Sequence, residues 1–246
     1  MSRVICITHR KNPMLQGFFS QFIPSESSVM KAVGREGAFL KYLKADCQQP
    51  WVLAVACHES TGATGLVVFR IAKTEQANVW KTLDEALKWA SINLITNKML
   101  VAVDEDIDVR DADSINWVLC TRMQPHRDCR IVEGPAKGFV DPSVLPQEEV
   151  EKVDMLDENR PTSSRLLVNA TCKFPYPPLA LPKKEFMERA LQIWEEEKLP
   201  SMKLKEPWWG HNLGYWPDEE DEDARLAVRG DYNLVGEKMA KRRKKI

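Results

Sequence analysis

Four carboxylates, Asp104, Glu105, Asp106 and Asp108, crowd the turn that follows the apolar run Met99 to Val103. Hard divalent cations take several oxygen ligands, so such a cluster at the end of a strand is a candidate metal site. The competing reading is a solvated turn, with Asp111 and Asp113 placed to cap the helix that follows. Lys98 stands just before the same run, where its ammonium would point either to a cofactor phosphate or to water. Arg122, Arg127 and Asp128 suit structural ion pairing rather than catalysis. His9, His58, His126 and His211 are scattered, with no nucleophile set beside them. The chain has no serine-centred elbow, P-loop or dinucleotide fingerprint.

These side chains need elements to hold them. Met99 to Val103 has the length and β-branched content of a buried strand. Ile115, Trp117–Val118 and Cys120–Thr121 then recur at roughly helical spacing. Cys129 to Val132 is a second β-like run, and it leads through Glu133-Gly134-Pro135 into the loop Lys137 to Pro142. Strand, acidic turn, helix, strand and Gly/Pro loop is how an α/β domain builds the rim of a site.

The flanking sequence extends this pattern. Trp51 to Cys57 and Gly65 to Ala72 read as neighbouring strands about the turn Ser60-Thr61-Gly62. Gln76 to Leu94 predicts a helix with Val79, Leu83, Leu87, Ala90 and Leu94 down one face. Ser25 is placed to cap an earlier helix with Val29, Val33, Leu40 and Leu43 as its apolar positions. Gly34 and Gly37 weaken that helix by about 1 kcal/mol each unless close packing offsets them. Gln147 to Ser164 reads as a polar surface excursion, Arg165 to Ala170 as a short strand, and the proline-rich Phe174 to Pro182 as extended chain. Lys183 to Lys198 predicts a helix with Phe186, Ala190, Ile193 and Trp194 inward. Arg3 to His9 reads as a strand buried on both faces, with no hairpin mate nearby in sequence.

Composition narrows the function classes. A formal net charge of −1 gives no general pull toward nucleic acid or an anionic membrane. No apolar run approaches the ~20 residues of a membrane span, and the first residues lack a signal-peptide pattern. The six cysteines form no C-x-x-C pair, and they read as small core residues. The expectation is a cytoplasmic globular protein. Near the end, Trp208, Trp209, Tyr215 and Trp216 would make an apolar patch of the kind that marks an interface. The run DEEDEDAR and the basic KRRKK after it are expected to pair within or between subunits.

Several spaced motifs resemble the carboxy-terminal domain of the UbiD family. These are VDEDIDV, then W and TR, then P-x-R-D and GF-x-DPS, flanked by ITHRKNP and PSESS before and by NATCKFPYPP, LPKKEFMERA and KEPWWGHNLGYW after. That family contains decarboxylases, and some carboxylases, that act through prenylated FMN. The resemblance implies an α/β fold with a mixed sheet flanked by helices, preceded by one orphan strand of the flavin-binding barrel and a linker helix. The implied divisions are 1–24 for the barrel end and connector, 25–44 for the linker helix, 45–200 for the α/β domain, and 201–246 for an aromatic and charged extension. The resemblance also favours the solvated-turn reading of the carboxylates, since the family's metal ligands lie in its flavin domain.

The same resemblance implies a division of labour. The loop Phe139, Val140, Asp141 and Pro142 corresponds to one that projects over the substrate ring, and Phe139 stacked on an aromatic acid adds ~0.5–1.5 kcal/mol beyond area burial. Asp141 before Pro142 suits a turn residue rather than an acid or base. Lys98 corresponds in place to a lysine set against the flavin phosphate. No catalytic or metal-ligating residue is expected in this chain. The acid/base carboxylates, the divalent metal and the K+ at the flavin phosphate belong to the family's flavin domain, expected here on a companion chain in a hetero-oligomer. Asn169 stands where the family usually has aspartate, which puts any charge role there in doubt. Three readings follow: a subunit of a split enzyme that decarboxylates or carboxylates an aromatic or unsaturated acid, a non-catalytic assembly or regulatory subunit, or a piece of a longer enzyme.

Overall fold

The computed structural model describes residues 5–14, 17, 23–93, 95–136, 141, 143–150, 161–174, 184–201 and 218–242. Its centre is a five-stranded mixed sheet in the order β1-β2-β3-β5-β4. The strands are β1 (Val52–Cys57), β2 (Leu66–Ile71), β3 (Met99–Asp104), β4 (Cys129–Pro135) and β5 (Thr162–Ala170). Strands β2, β3 and β5 run parallel, while β1 and β4 pair antiparallel at the two edges. The parallel trio carries the most continuous apolar sequence, as strands buried on both faces must.

Alternation along β3 sends its side chains to two different cores. Leu100 and Ala102 join a cluster with Phe39, Leu43, Val79, Leu83 and Ala90. Val101 and Val103 join another with Ile107, Val109, Ile115 and Val118. The first face is therefore covered by α1 (Glu26–Lys41) and α2 (Gln76–Ile92), and the second by α3 (Ala112–Thr121). Short helical turns α4 (Pro125–Asp128) and α5 (Gln147–Val150) follow, then α6 (Lys184–Glu196), α7 (Asp218–Arg229) and α8 (Tyr232–Arg242).

Helix caps appear where the sequence places them. Ser25 and Ser28 form a reciprocal capping box at the start of α1, and the Asp111 carboxylate accepts from Ser114 N at 2.8 Å to start α3. Gly62 closes the turn between β1 and β2 with φ +71°, a conformation that disfavours a Cβ. Past its C-terminus α1 continues as a π-helical turn, Tyr42–Asp46.

Several expectations need correction. Val29 and Val33 of α1 face outward, and Ala32, Phe39 and Leu43 are the buried positions. The cap phases the helix so that Ser28 and Ala32 meet the sheet. A Cβ at Gly34 or Gly37 would meet nothing within 4 Å, so no packing in this chain offsets their cost. In α6, Phe186, Ala190 and Ile193 are exposed and only Trp194 is half-buried. Of the cysteines, Cys57 alone is fully buried, while Cys6 and Cys120 are exposed; all six are free thiols. The strand expected at Arg165 starts earlier, at Thr162, because β4 pairs with it along that whole length.

The chain ends also differ from expectation. Residues 5–10 carry no regular structure, with Ile5 and Ile7 exposed. The acidic run forms helix α7, and Glu222 and Asp223 pair with Lys238 of α8 rather than with the final basic run. Trp208, Trp209, Tyr215 and Trp216 lie outside the described residues, as does Leu94.

Candidate functional site

An open α/β sheet usually binds ligands at the carboxyl ends of its parallel strands. Here that rim is occupied by charged side chains that satisfy one another. Arg122, 4% exposed, sits just past α3 and reaches across to the end of β3. It donates to Asp104 at 2.7 Å and to both oxygens of Asp106 at 2.7 and 2.5 Å. Burial works against its charge, but the two carboxylates more than compensate and hold the guanidinium above its ordinary range. The Cys172 backbone N–H adds a 2.7 Å bond to Asp104, and burial together with that carboxylate pushes the Cys172 thiol up to about 12.

A second group of charges locks the adjacent corner. Asp128 is buried and accepts from Gln124 N at 2.8 Å and from the Arg127 guanidinium at 2.9 and 3.0 Å. Lys173 lies 3.4 Å from the same carboxylate and donates to the carbonyls of Arg122 and Asn169. Burial raises the cost of a charged Asp128, and its donors outweigh that to lower its pKa. Asn169, 1% exposed, accepts from Thr171 and donates to Gln76 at 2.8 Å. It therefore serves as a neutral connector from β5 to α2.

The carboxylate cluster read from the sequence is thus divided among structural tasks. Asp104 and Asp106 hold Arg122, and Asp108 accepts from Arg110 N at 2.9 Å. Among the described residues no group of three or more metal-ligating side chains converges.

The opposite rim, at the amino ends of the parallel strands, is built differently. Lys98 lies between two neighbours: its N–H and that of Met99 donate to Gly65 O before β2, and its carbonyl accepts from Leu166 N of β5. The ladder therefore fixes the Lys98 backbone at the middle of the sheet edge. Its ammonium, on a side chain 40% exposed, lies 2.6 Å from Asp141 Oδ2 and donates to Ser143 Oγ at 2.9 Å. Asp141 in turn accepts from Ser143 N at 3.1 Å and Ser143 Oγ at 2.7 Å, forming a tight local turn. Burial opposes the charge on Asp141, and Lys98 and Ser143 outweigh it to lower its pKa.

Two buried polar residues beside this pair were not singled out in the sequence. Arg165 of β5, next to Leu166, is 5% exposed, and its Nε has no hydrogen-bond partner. Burial lowers its pKa, against the pull of the Asp141 charge. Asn97, 2% exposed, precedes Lys98, and neither of its amide atoms has a hydrogen-bond partner. The legible signal was an arginine at an inward position of a strand, Ser163-Arg165-Leu167. It was passed over because that strand was expected to begin at Arg165 itself.

Lys98 and Asp141, far apart in sequence, are therefore brought together. Phe139, Val140 and Pro142 lie outside the described residues. The donors on this rim suit a single phosphate group: a partly exposed ammonium, a serine hydroxyl and an orphaned guanidinium N–H. They do not amount to a whole flavin site, which also needs a surface for the ring system.

With this geometry in hand, comparison with known proteins gives a consistent result. The model of the 3-octaprenyl-4-hydroxybenzoate carboxy-lyase C-terminal domain matches residues 29–170, a span that contains all five strands. The chain is 26% identical over 178 residues to gallate decarboxylase of Lactiplantibacillus plantarum, covering 70% of this chain and 34% of that enzyme. In solved structures it matches vanillic acid decarboxylase of Sedimentibacter hydroxybenzoicus in its closed form, at TM-score 0.55 and 20% identity over 76% of this chain and 38% of that one. It also matches the UbiD-class enzyme HmfF of Pelotomaculum thermopropionicum in complex with FMN, at TM-score 0.52 and 21% identity over 67% and 34%. The chain spans about a third of the length of these relatives. A match through every strand of the sheet, in order, makes this chain a member of the UbiD carboxy-lyase family, to whose carboxy-terminal domain it corresponds.

Proposed function

We propose that this chain is one part of an enzyme that decarboxylates, or reversibly carboxylates, an aromatic or unsaturated acid with prenylated FMN. The observation that carries the reading is the 2.6 Å contact between Lys98 and Asp141, which puts the lysine expected at the flavin phosphate beside the loop expected over the substrate. Gallate and vanillic acid decarboxylases among its relatives support an aromatic acid as substrate. The rest of the site, including the flavin platform, its metal and K+, and the acid/base carboxylates, is assigned to a companion chain. A two-component name, the CD form of vanillic acid decarboxylase, supports that arrangement.

The prenylated flavin, when bound, supplies the electron sink for the pair left behind as carbon dioxide departs. This chain's own contribution is binding and placement. Lys98 meets the phosphate, and Phe139 and Val140 close over the ring and keep water from the reacting carbon. Asp141 fixes that loop to the sheet edge. A proton donor for the product carbon comes from the companion.

The test is co-expression of this chain with a flavin-domain chain of the family and a prenylated-flavin synthase. Affinity purification through this chain is expected to recover a flavin-bearing complex that releases carbon dioxide from gallate, vanillate or protocatechuate. The chain purified alone should show no flavin absorbance. Stoichiometric flavin on the isolated chain would overturn the companion assignment. A flavin-bearing complex inert toward every aromatic and unsaturated acid tried would overturn the activity.

A further inference from the structure

The contact between Lys98 and Asp141 raises a physical difficulty for any role of Lys98 toward an outside anion. The Asp141 carboxylate is 8% exposed, and a carboxylate left at that depth without a cation is strongly destabilising. An ammonium withdrawn from it to meet a phosphate would open the Asp141–Ser143 turn. The sheet supplies a second cation at this point. Leu166 N donates to Lys98 O at 2.8 Å, so Arg165, the residue before Leu166, lies on the strand adjoining Lys98. Its guanidinium is buried, its Nε has no hydrogen-bond partner, and the Asp141 charge acts on it.

The two cations differ in freedom. Lys98 carries a compact charge on a flexible stem, with a partly exposed side chain. Arg165 is held in β5 between the ladders to β3 and β4, and its side chain is almost wholly enclosed. One is able to leave the carboxylate, and the other is not.

We propose that Asp141 is shared between Lys98 and Arg165, so that Lys98 passes to an external phosphate group while Arg165 keeps the carboxylate neutralised and the turn closed. Asp141 and Arg165 are then positioning residues that act through Lys98. This rests on the reading of Lys98 as phosphate-facing, but it concerns groups that all lie in this chain and is testable without flavin.

The experiment is hydrogen exchange at the Ser143 and Val144 amides of the full chain. Both are held by Asp141, one through its side chain at 3.1 Å and one through its carbonyl at 3.2 Å. Asp141→Asn should speed exchange on the order of tenfold, because the carboxylate that organises the turn is gone. Lys98→Met alone should leave it within about threefold of the natural chain, and Lys98→Met with Arg165→Gln should match Asp141→Asn. If Lys98→Met alone opens the turn as fully as Asp141→Asn, Lys98 is a fixed strut and the proposal fails. It fails equally if the double variant stays protected.

Should the double variant not fold, a salt titration of Lys98→Met decides the point. A buried Arg165–Asp141 pair is weakly screened, so protection should persist into high salt, and its loss would overturn the sharing. A negative result here leaves the companion-chain reading standing, since that reading is judged by co-purification and carbon dioxide release.

Discussion

Arg122 Nη1 lies 2.7 Å from Asp104 Oδ2, tying the end of α3 to the end of β3 across the sheet's carboxyl rim. Because Asp106 is bound by the same guanidinium, one side chain neutralises two carboxylates. Arg122→Met should therefore cost about 3 kcal/mol, the penalty of stranding partly buried charge. Arg122→Lys should recover only part, since an ammonium cannot reproduce the forked contact. Urea unfolding checks this as a lower midpoint at unchanged slope.

The exposed face of α1 separates stability from assembly. Phe39 is fully buried against Phe69 and Trp89, so Phe39→Ala should cost ~3–5 kcal/mol. Val29→Asn and Val33→Asn, on the outward face, should change stability by no more than about 0.5 kcal/mol. If that face meets the companion chain, the same two substitutions should weaken co-purification. Thermal melts and pull-down of one set of variants measure both effects.

Asp128 gives the fold a definite acid response. Its folded pKa lies below its unfolded value, so between the two the unfolded chain binds more protons and stability rises with pH. The contribution is present above the ordinary aspartate range near pH 4 and is lost as pH falls through the depressed folded value. Asp128→Asn should flatten the acid limb of a stability profile, and an unchanged limb would show that the Arg127 and Lys173 contacts carry no net weight.

Phe139→Ala tests the loop's proposed place over the substrate. In the assembled enzyme, turnover or ring preference should change, with loss of a stacking contact worth ~0.5–1.5 kcal/mol. Kinetics on the native acid that match the unsubstituted enzyme would make the loop structural.

Deletion of residues 1–12 tests strand addition by the segment around Ile5 and Ile7, which are exposed in this chain. Circular dichroism should be nearly unchanged, because all five strands lie between Val52 and Ala170. The hetero-complex should be lost on size exclusion, since an open apolar segment gains backbone partners only from a second sheet edge. Retention of full affinity would move the interface to the aromatic segment Trp208 to Trp216.

The elements of the sheet were legible in the chain because each is encoded over neighbouring residues. The apolar run Met99 to Val103 became β3, and Ser25 and Asp111 capped the helices that they precede. Spaced motifs carried the family in the same way. What the chain alone left open depends on residues far apart in sequence. The phase of α1 was misread because Val29 and Val33 are as apolar as the positions that pack, and only the sheet beneath decides which side is inside. The four carboxylates offered a metal turn or a solvated one, and the choice fell to Arg122, which the fold carries back onto Asp104 and Asp106. Lys98, Asp141 and Arg165 are separated by more than 20 residues at each step, and it is the parallel pairing of β3 with β5 that sets Arg165 beside Lys98 on one rim. Local pattern specifies which segments form strands and helices, because propensity and capping act over a few residues. Charge pairing acts through space, so its partners were settled only when the strands took their order.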